Sequence, residues 1–164
     1  MKALGMPVKR AESLIHLAQS VIDGTFPLFP PENIEAGMKA LQQRPGIGRW
    51  TANYLALRGW LHPGDHVITS SMEHNAVMRP LRQLEKEGVE LSVVPCEIDG
   101  TLDPAHIEPA IRGNTALIVL SHASNVVGTR LPIAEVGRIA RNHGLLLLVD
   151  TASTAGTVPI DMEA

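Results

Sequence analysis

His74, Asn125 and Asp150 are the residues whose types and placement can do chemistry together. Each stands at or just past the end of an apolar run of strand length: His74 after "HVITS", Asn125 after "TALIVLSHA", and Asp150 as the last residue of "LLLLVD". If these runs are parallel strands, their carboxyl ends are where an open α/β sheet places ligands. An Asp there can hold the proton of a ring nitrogen, and all three residues would converge on that one edge. Capping and turn roles stay open for all three, because short polar side chains also serve helix starts and loops. A second candidate lies upstream in "RPGIGRWTA" (44–52). Its glycines permit a tight turn, and the free N–H groups of the helix start that follows can grip a phosphate oxygen.

The elements that must position these residues divide the chain in two. Up to about Trp60 the pattern is helical. In "MPVKRAESLIHLAQSVIDG" the residues Leu14, Ile15, Leu17, Ala18, Val21 and Ile22 recur at helical spacing, with Pro7 suited to the first turn and Gly24 to the end. "TFPLFPPE" is a Pro-rich connection, "ENIEAGMKALQQ" a second helix stopped before Pro45, and "WTANYLALRGW" a third. Beyond Trp60 the runs "HVITS" (66–70), "ELSVVPC" (90–96), "TALIVLSHA" (115–123) and "LLLLVD" (145–150) read as four strands. Between them "EHNAVMRPLRQLEKEG", "DPAHIEPAIRG" and "LPIAEVGRIARNHG" read as helices, each with Gly at or near its end. Strands alternating with helices predict βαβ units and a parallel sheet.

Composition narrows the class. A chain of 164 residues with 45% apolar content can bury a core without metals or disulfides. The one cysteine, Cys96, excludes an internal disulfide and a cysteine-based metal cluster, and reads as a small buried residue at a strand end. His16, His62, His66, His106, His122 and His143 lack metal-ligand spacing and read as surface or core residues. No apolar run approaches the ~20 residues that span a bilayer. The start "MKALGMPVKR" lacks an export pattern, so the expected location is cytoplasmic, with no membrane contact. Charge is uneven: residues 1–60 carry seven Lys/Arg and four Asp/Glu, while residues 61–164 carry seven and thirteen. The basic part is the one suited to a nucleic acid.

Two resemblances add to this reading. Residues 1–60, "KALGMPVKRAESLIHLAQSVIDGT" through "MKALQQRPGIGRWTANYLALRGW", resemble the helix-hairpin-helix DNA-3-methyladenine glycosylase II family. That resemblance implies a DNA-backbone grip by Pro45, Gly46, Ile47 and Gly48, with Thr51 in the first turn of the next helix; such contacts carry no sequence preference. The family's catalytic Asp would fall at Asp65, which "PGD" ahead of a β run marks instead as a turn residue. The helices that complete the base pocket are missing, so glycosylase activity is not expected.

From about Ala56 onward the chain resembles the class V aminotransferases of the cysteine desulfurase and selenocysteine lyase group. The resemblance is carried by "ALRGWLHPGDHVITSSMEHNAVMRPLRQLEKEGVELSVVPC", "NTALIVLSHASNVVGT" and "GLLLLVDTASTAGTVPIDM". It implies a pyridoxal-phosphate fold in which His74 stacks on the pyridine ring. Asn125 would bond near the ring oxygen or substrate carboxylate, and Asp150 would pair with the ring nitrogen. Ser153 stands where that family usually has Gln or His, and Gly48 and Arg49 stand where its phosphate-binding turn begins. The family's Schiff-base lysine is expected beyond Ala164, since lysines occur only at 2, 9, 39 and 86.

The expected architecture is therefore α/β. A helix-hairpin-helix segment over residues 1–59 precedes a partial, mainly parallel sheet of about four strands covered by helices over residues 60–164, a truncated aminotransferase-like domain. The expected function is that of a chimera without a complete active site: a folded scaffold with residual pyridoxal-phosphate-site features. Weak noncovalent cofactor binding, nonspecific DNA-backbone binding and self-association through exposed sheet edges are the expected interactions.

Overall fold

A computed structural model of the chain describes residues 61–159, together with Gln19, Asp23, Leu57, Gly59 and Trp60. The chain divides into two units, Met1–Trp60 and Leu61–Ala164. The hairpin Pro45, Gly46, Ile47, Gly48, with Arg49 and Thr51, lies outside the described residues, as do all but a few residues of the helices expected around it.

The second unit is built on four strands, β1 (His66–Ser70), β2 (Glu90–Val94), β3 (Thr115–Ser121) and β4 (Leu146–Asp150), in the order β2-β1-β3-β4. Every pairing is parallel, as the alternation of strand and helix runs predicts. β1 and β3 occupy the middle. All five residues of β1 and six of the seven in β3 are buried, which is why the interior of each reads as an apolar or β-branched run. Ile68 lies in register with Ile118, and both join Val94, Leu102, Ile107, Leu120, Leu131, Val136 and Ala140 in one core cluster.

The connections follow from their residues. Helix α1 (Asn75–Lys86) buries Ala76, Val77, Pro80, Leu81 and Leu84, a stripe at helical spacing, and helix α2 (Ile133–Asn142) buries Val136, Gly137 and Ala140. After α1 the chain reverses at Gly88, whose φ of +101° a side chain rarely adopts. An added Cβ there would also press on Pro63 Cβ at 3.2 Å, because the Gly64 N–H donates to the Gly88 carbonyl at 2.7 Å.

Besides shifts of one or two residues at other ends, three elements depart from the sequence reading, and proline explains two. The expected helix in 103–113 is instead a pair of 3-10 turns, Pro104–His106 and Glu108–Ala110. Pro109 lacks the N–H that an α-helix would direct back to Ala105, and its ring would clash with that carbonyl. The strand expected to run to Cys96 ends at Val94, because Pro95 has no N–H for the ladder. Cys96 is half-buried beside the core cluster. The strand expected to reach Ala123 ends at Ser121, and Ala123 turns to form an antiparallel bridge with Arg130.

At the amino edge of the sheet the buried His66 is held by hydroxyls. Its Nδ1 lies 2.8 Å from Thr115 Oγ1, and its Nε2 lies 2.8 Å from Ser92 Oγ. Arg112 donates to Glu90 Oε2 at 2.6 Å and to Ser92 Oγ at 3.2 Å. Burial, then the Arg112 charge, lower the pKa of His66 from its ordinary 6.5, with Glu90 opposing. The unfolded chain therefore binds this proton first, so stability is lost as pH falls from about 6.5 through the lowered value. We expect unfolding free energy to fall between pH 7 and pH 5, by up to about 1.4 kcal/mol per pH unit for each proton taken up. Chemical denaturation at several pH values should show part of this slope removed in His66→Gln; an unchanged slope would refute the assignment.

Candidate functional site

All four strands end at one edge, and the loops that leave β1, β2 and β3 there are interlocked. A Cβ at Gly100, where φ is +83°, would lie 3.0 Å from Val127 Cγ2, 3.2 Å from Met72 Cε and 3.3 Å from Thr129 Oγ1. Thr129 also donates its hydroxyl to the Asp99 carbonyl at 2.7 Å.

His74, Asn125 and Asp150 follow or end three of these strands. His74 is exposed and caps α1: its Nδ1 accepts the Ala76 N–H at 3.0 Å. Asn125 is exposed in the loop after β3, which is shaped by Ser124. The Ser124 hydroxyl accepts the N–H groups of Val126 at 3.2 Å and Val127 at 3.3 Å, and the Ser124 N–H donates to the Thr129 carbonyl. Asp150 is half-buried at the end of β4, with its Oδ1 accepting the Ala152 N–H at 2.9 Å. Ser153 is exposed in the turn that follows. Gly48 and Arg49 lie outside the described residues, so their relation to this edge is not described.

Sequence reasoning missed the most connected group at this edge. Glu73, just before the cap, accepts the Ser70 hydroxyl on Oε1 at 2.7 Å. Its Oε2 accepts both the Ser121 N–H at 2.8 Å and the Ser121 hydroxyl at 2.7 Å. Burial raises its pKa, the hydrogen bonds from Ser121 and Ser70 oppose that, and the Asp150 charge adds to the rise. His122 and Thr154 were missed as well: His122 Nδ1 lies 2.9 Å from the buried Thr154 Oγ1, directly beside the expected Ser153. Burial, then Arg130, lower the pKa of His122. The available signal was "SSMEH", an acid set among hydroxyls where a strand run ends and a helix begins.

Asp65 serves a turn, its Oδ2 accepting the His62 N–H at 2.7 Å. Among the described residues no group of three or more His, Cys, Asp or Glu is placed to hold a metal, and no helix is long and apolar enough to cross a membrane.

A parallel α/β sheet whose strands all end at one edge belongs to the class of folds that present loops for ligands at that edge. Residues 49–164 match the aminotransferase class-V family, and the chain belongs to it. It is 41% identical over 120 residues to the cysteine desulfurase IscS of Ectopseudomonas mendocina, covering 71% of this chain and 30% of that protein. Against IscS of Anaeromyxobacter sp. strain K the identity is 39% over 121 residues, with the same coverage. The chain thus spans about 30% of the length of these relatives. Among solved structures, the cysteine desulfurase CsdA of Escherichia coli superposes with a TM-score of 0.59 at 28% identity, over 66% of this chain and 28% of that one. DndA of Streptomyces lividans gives 0.56 at 33% identity, over 58% and 27%.

The cap at His74 is directly testable. Replacing His74 with Ala removes the acceptor for the Ala76 N–H and should cost about 1 kcal/mol of stability, whereas Asn, a good cap, should cost little. Urea unfolding of the two variants measures this, and equal losses would show that the cap contributes nothing.

Proposed function

We propose that residues 49–164 are the cofactor-domain portion of a cysteine desulfurase-like class V aminotransferase, retaining part of a pyridoxal-phosphate site at the carboxyl edge of the sheet. The observation that carries this reading is the convergence of His74, Glu73 and Asp150 at that edge in a chain of this family. The donor set suits the group. The Asp150 carboxylate at the end of β4 suits a cationic N–H, and His74 has its ring tethered by the cap. When bound, pyridoxal phosphate supplies an electron sink. Asp150 would hold the ring nitrogen proton, His74 would cover a face, and Asn125 would meet an oxygen at the ring or substrate.

Lys86 supports noncovalent rather than covalent holding within the described residues. It ends α1, a helix that starts at the carboxyl edge and runs away from it, so its amine stands at the far end from Asp150. Desulfuration of cysteine, named for the relatives, is a property we assign only to a longer protein of this type. A cytoplasmic setting and self-association belong to the same proposal. β4 favours the latter, since its Leu146 is 38% exposed and its other four residues are only half-buried.

Titration with pyridoxal phosphate, followed by absorbance and borohydride trapping, tests the reading. Binding is expected at micromolar affinity at best, because no covalent bond offsets the entropy of immobilising the ligand. Asp150→Ala should weaken it about tenfold or more, the value of a charge-assisted hydrogen bond. Binding indifferent to that substitution, or trapping at a single lysine near Asp150, would overturn the proposal.

A second reading concerns residues 1–59, of which 1–48 precede the family match. The sequence "RPGIGRWTA" and the excess of basic residues support a helix-hairpin-helix module fused to the sheet, as in a chimera, that grips the DNA backbone. Such binding should be weak, indifferent to sequence and steeply weakened by salt. A low-salt mobility-shift assay that detects no duplex binding, or binding unchanged by Gly46→Val, would end it.

A further inference from the structure

The ladder between β1 and β3 stops short of their carboxyl ends. Its last paired residues are Thr69 and Val119, yet β1 continues to Ser70 and β3 to Ser121. Beyond that point the two central strands are joined by the Glu73 side chain, with one oxygen on Ser70 and the other on Ser121. Both serines are buried, and no buried side-chain nitrogen or oxygen among the described residues is left without a partner.

Two covalent or hydrogen-bonded steps then reach the groups of the site. Glu73 is followed directly by His74, so fixing its side chain against β1 and β3 fixes the backbone that presents the imidazole. Ser121 lies in register with Asp150, and the next residue, His122, donates its N–H to the Asp150 carbonyl at 2.9 Å. Whatever holds Ser121 therefore holds the end of β4. The chemistry of the clamp is equally pointed. Among the described residues Glu73 forms no ion pair, and its three donors are neutral hydroxyl and amide groups. A half-buried acid so held, its pKa raised by burial and, less, by the Asp150 charge, is ionised at a cost that a cationic ligand would relieve.

We infer that Glu73 is the positioning residue of this site: by clamping Ser70 to Ser121 it sets the distance between the His74 imidazole and the Asp150 carboxylate. The inference rests on the proposed reading insofar as it takes those two groups as the pair that faces the ligand ring. Glu73 itself touches strand ends, not the ligand.

The test uses the full chain as wild type, Glu73→Ala, Glu73→Gln and Glu73→Asp. Three quantities are read: the backbone amide resonances of His74, Ser121 and Asp150 without ligand, the unfolding midpoint, and the pyridoxal phosphate affinity well below that midpoint. Glu73→Ala should shift all three amides and weaken the folded protein's affinity about tenfold. Glu73→Asp, too short to reach both serines, should behave likewise and replaces the alanine variant if that one does not fold. Glu73→Gln keeps an acceptor for the Ser121 N–H and a donor for Ser70 Oγ, so it should return the amides and most of the affinity towards wild type. A variant that lowers only the unfolding midpoint, leaving the Asp150 amide and the affinity unchanged, would reduce Glu73 to a staple and overturn the inference. Absence of binding in the wild type would instead overturn the proposed cofactor site, and the ligand-free amide shifts would still decide whether Glu73 positions His74 and Asp150.

Discussion

Parallel pairing is the constraint from which the rest follows. Four strands that run the same way must all end at the same edge, so each return to the other edge is made by a helix or a long connection covering the sheet. That cover buries β1 and β3 on both faces, which makes them the most buried strands of the unit. It also leaves the carboxyl edge as the place where loops from different strands meet. Gly100 stands within van der Waals reach of side chains from the loops after β1 and β3, so polar groups far apart in the chain are presented together.

The two edges are electrostatically unlike. At the amino edge His66 is buried between two hydroxyls, an environment that satisfies a neutral imidazole because a hydroxyl can donate to one ring nitrogen and accept from the other. Its lowered pKa favours the fold at neutral pH over acid. At the carboxyl edge Glu73 has a raised pKa, so its contribution has the opposite sign: present below about 4.5 and lost as pH rises through the raised value. An acid kept on neutral donors at this edge costs stability as it ionises and attracts positive charge. His66 has no such ambivalence, since both its nitrogens are already occupied.

What the sequence makes legible is the periodicity, and what it hides is side-chain company. β1 could be read to the residue because His66–Ser70 is bounded by a Pro-Gly turn and a helix cap. The turns at 104–110 were misread because Ala, Ile and His at helical spacing outweighed Pro109, whose backbone effect is decisive. β4 illustrates a subtler limit. Its leucines have the composition of an interior strand, yet within the described sheet it is an outer strand, because pattern reports what a segment can bury and not where the order of strands places it. Glu73 was passed over because an acid before a helix is ordinary in sequence. Only the fold brings Ser121, 48 residues away, onto its oxygen.

His74 shows why capping and ligand contact need not compete. A cap fixes the side chain by engaging one ring nitrogen, and here Nδ1 takes the Ala76 N–H. In the neutral ring the proton must then sit on Nε2, so the tautomer is assigned by the helix rather than by a ligand. The ring plane is tied to the axis of α1, and the backbone leading into it is tied by Glu73 to the ends of β1 and β3. An imidazole so restrained has lost its rotational freedom during folding, and an aromatic ligand meeting its face would not have to supply that ordering again. The helix cap would thus supply the preorganisation that the stacking role proposed for His74 needs. It also explains why His can stand where Ser, Asp or Asn would cap α1 equally well.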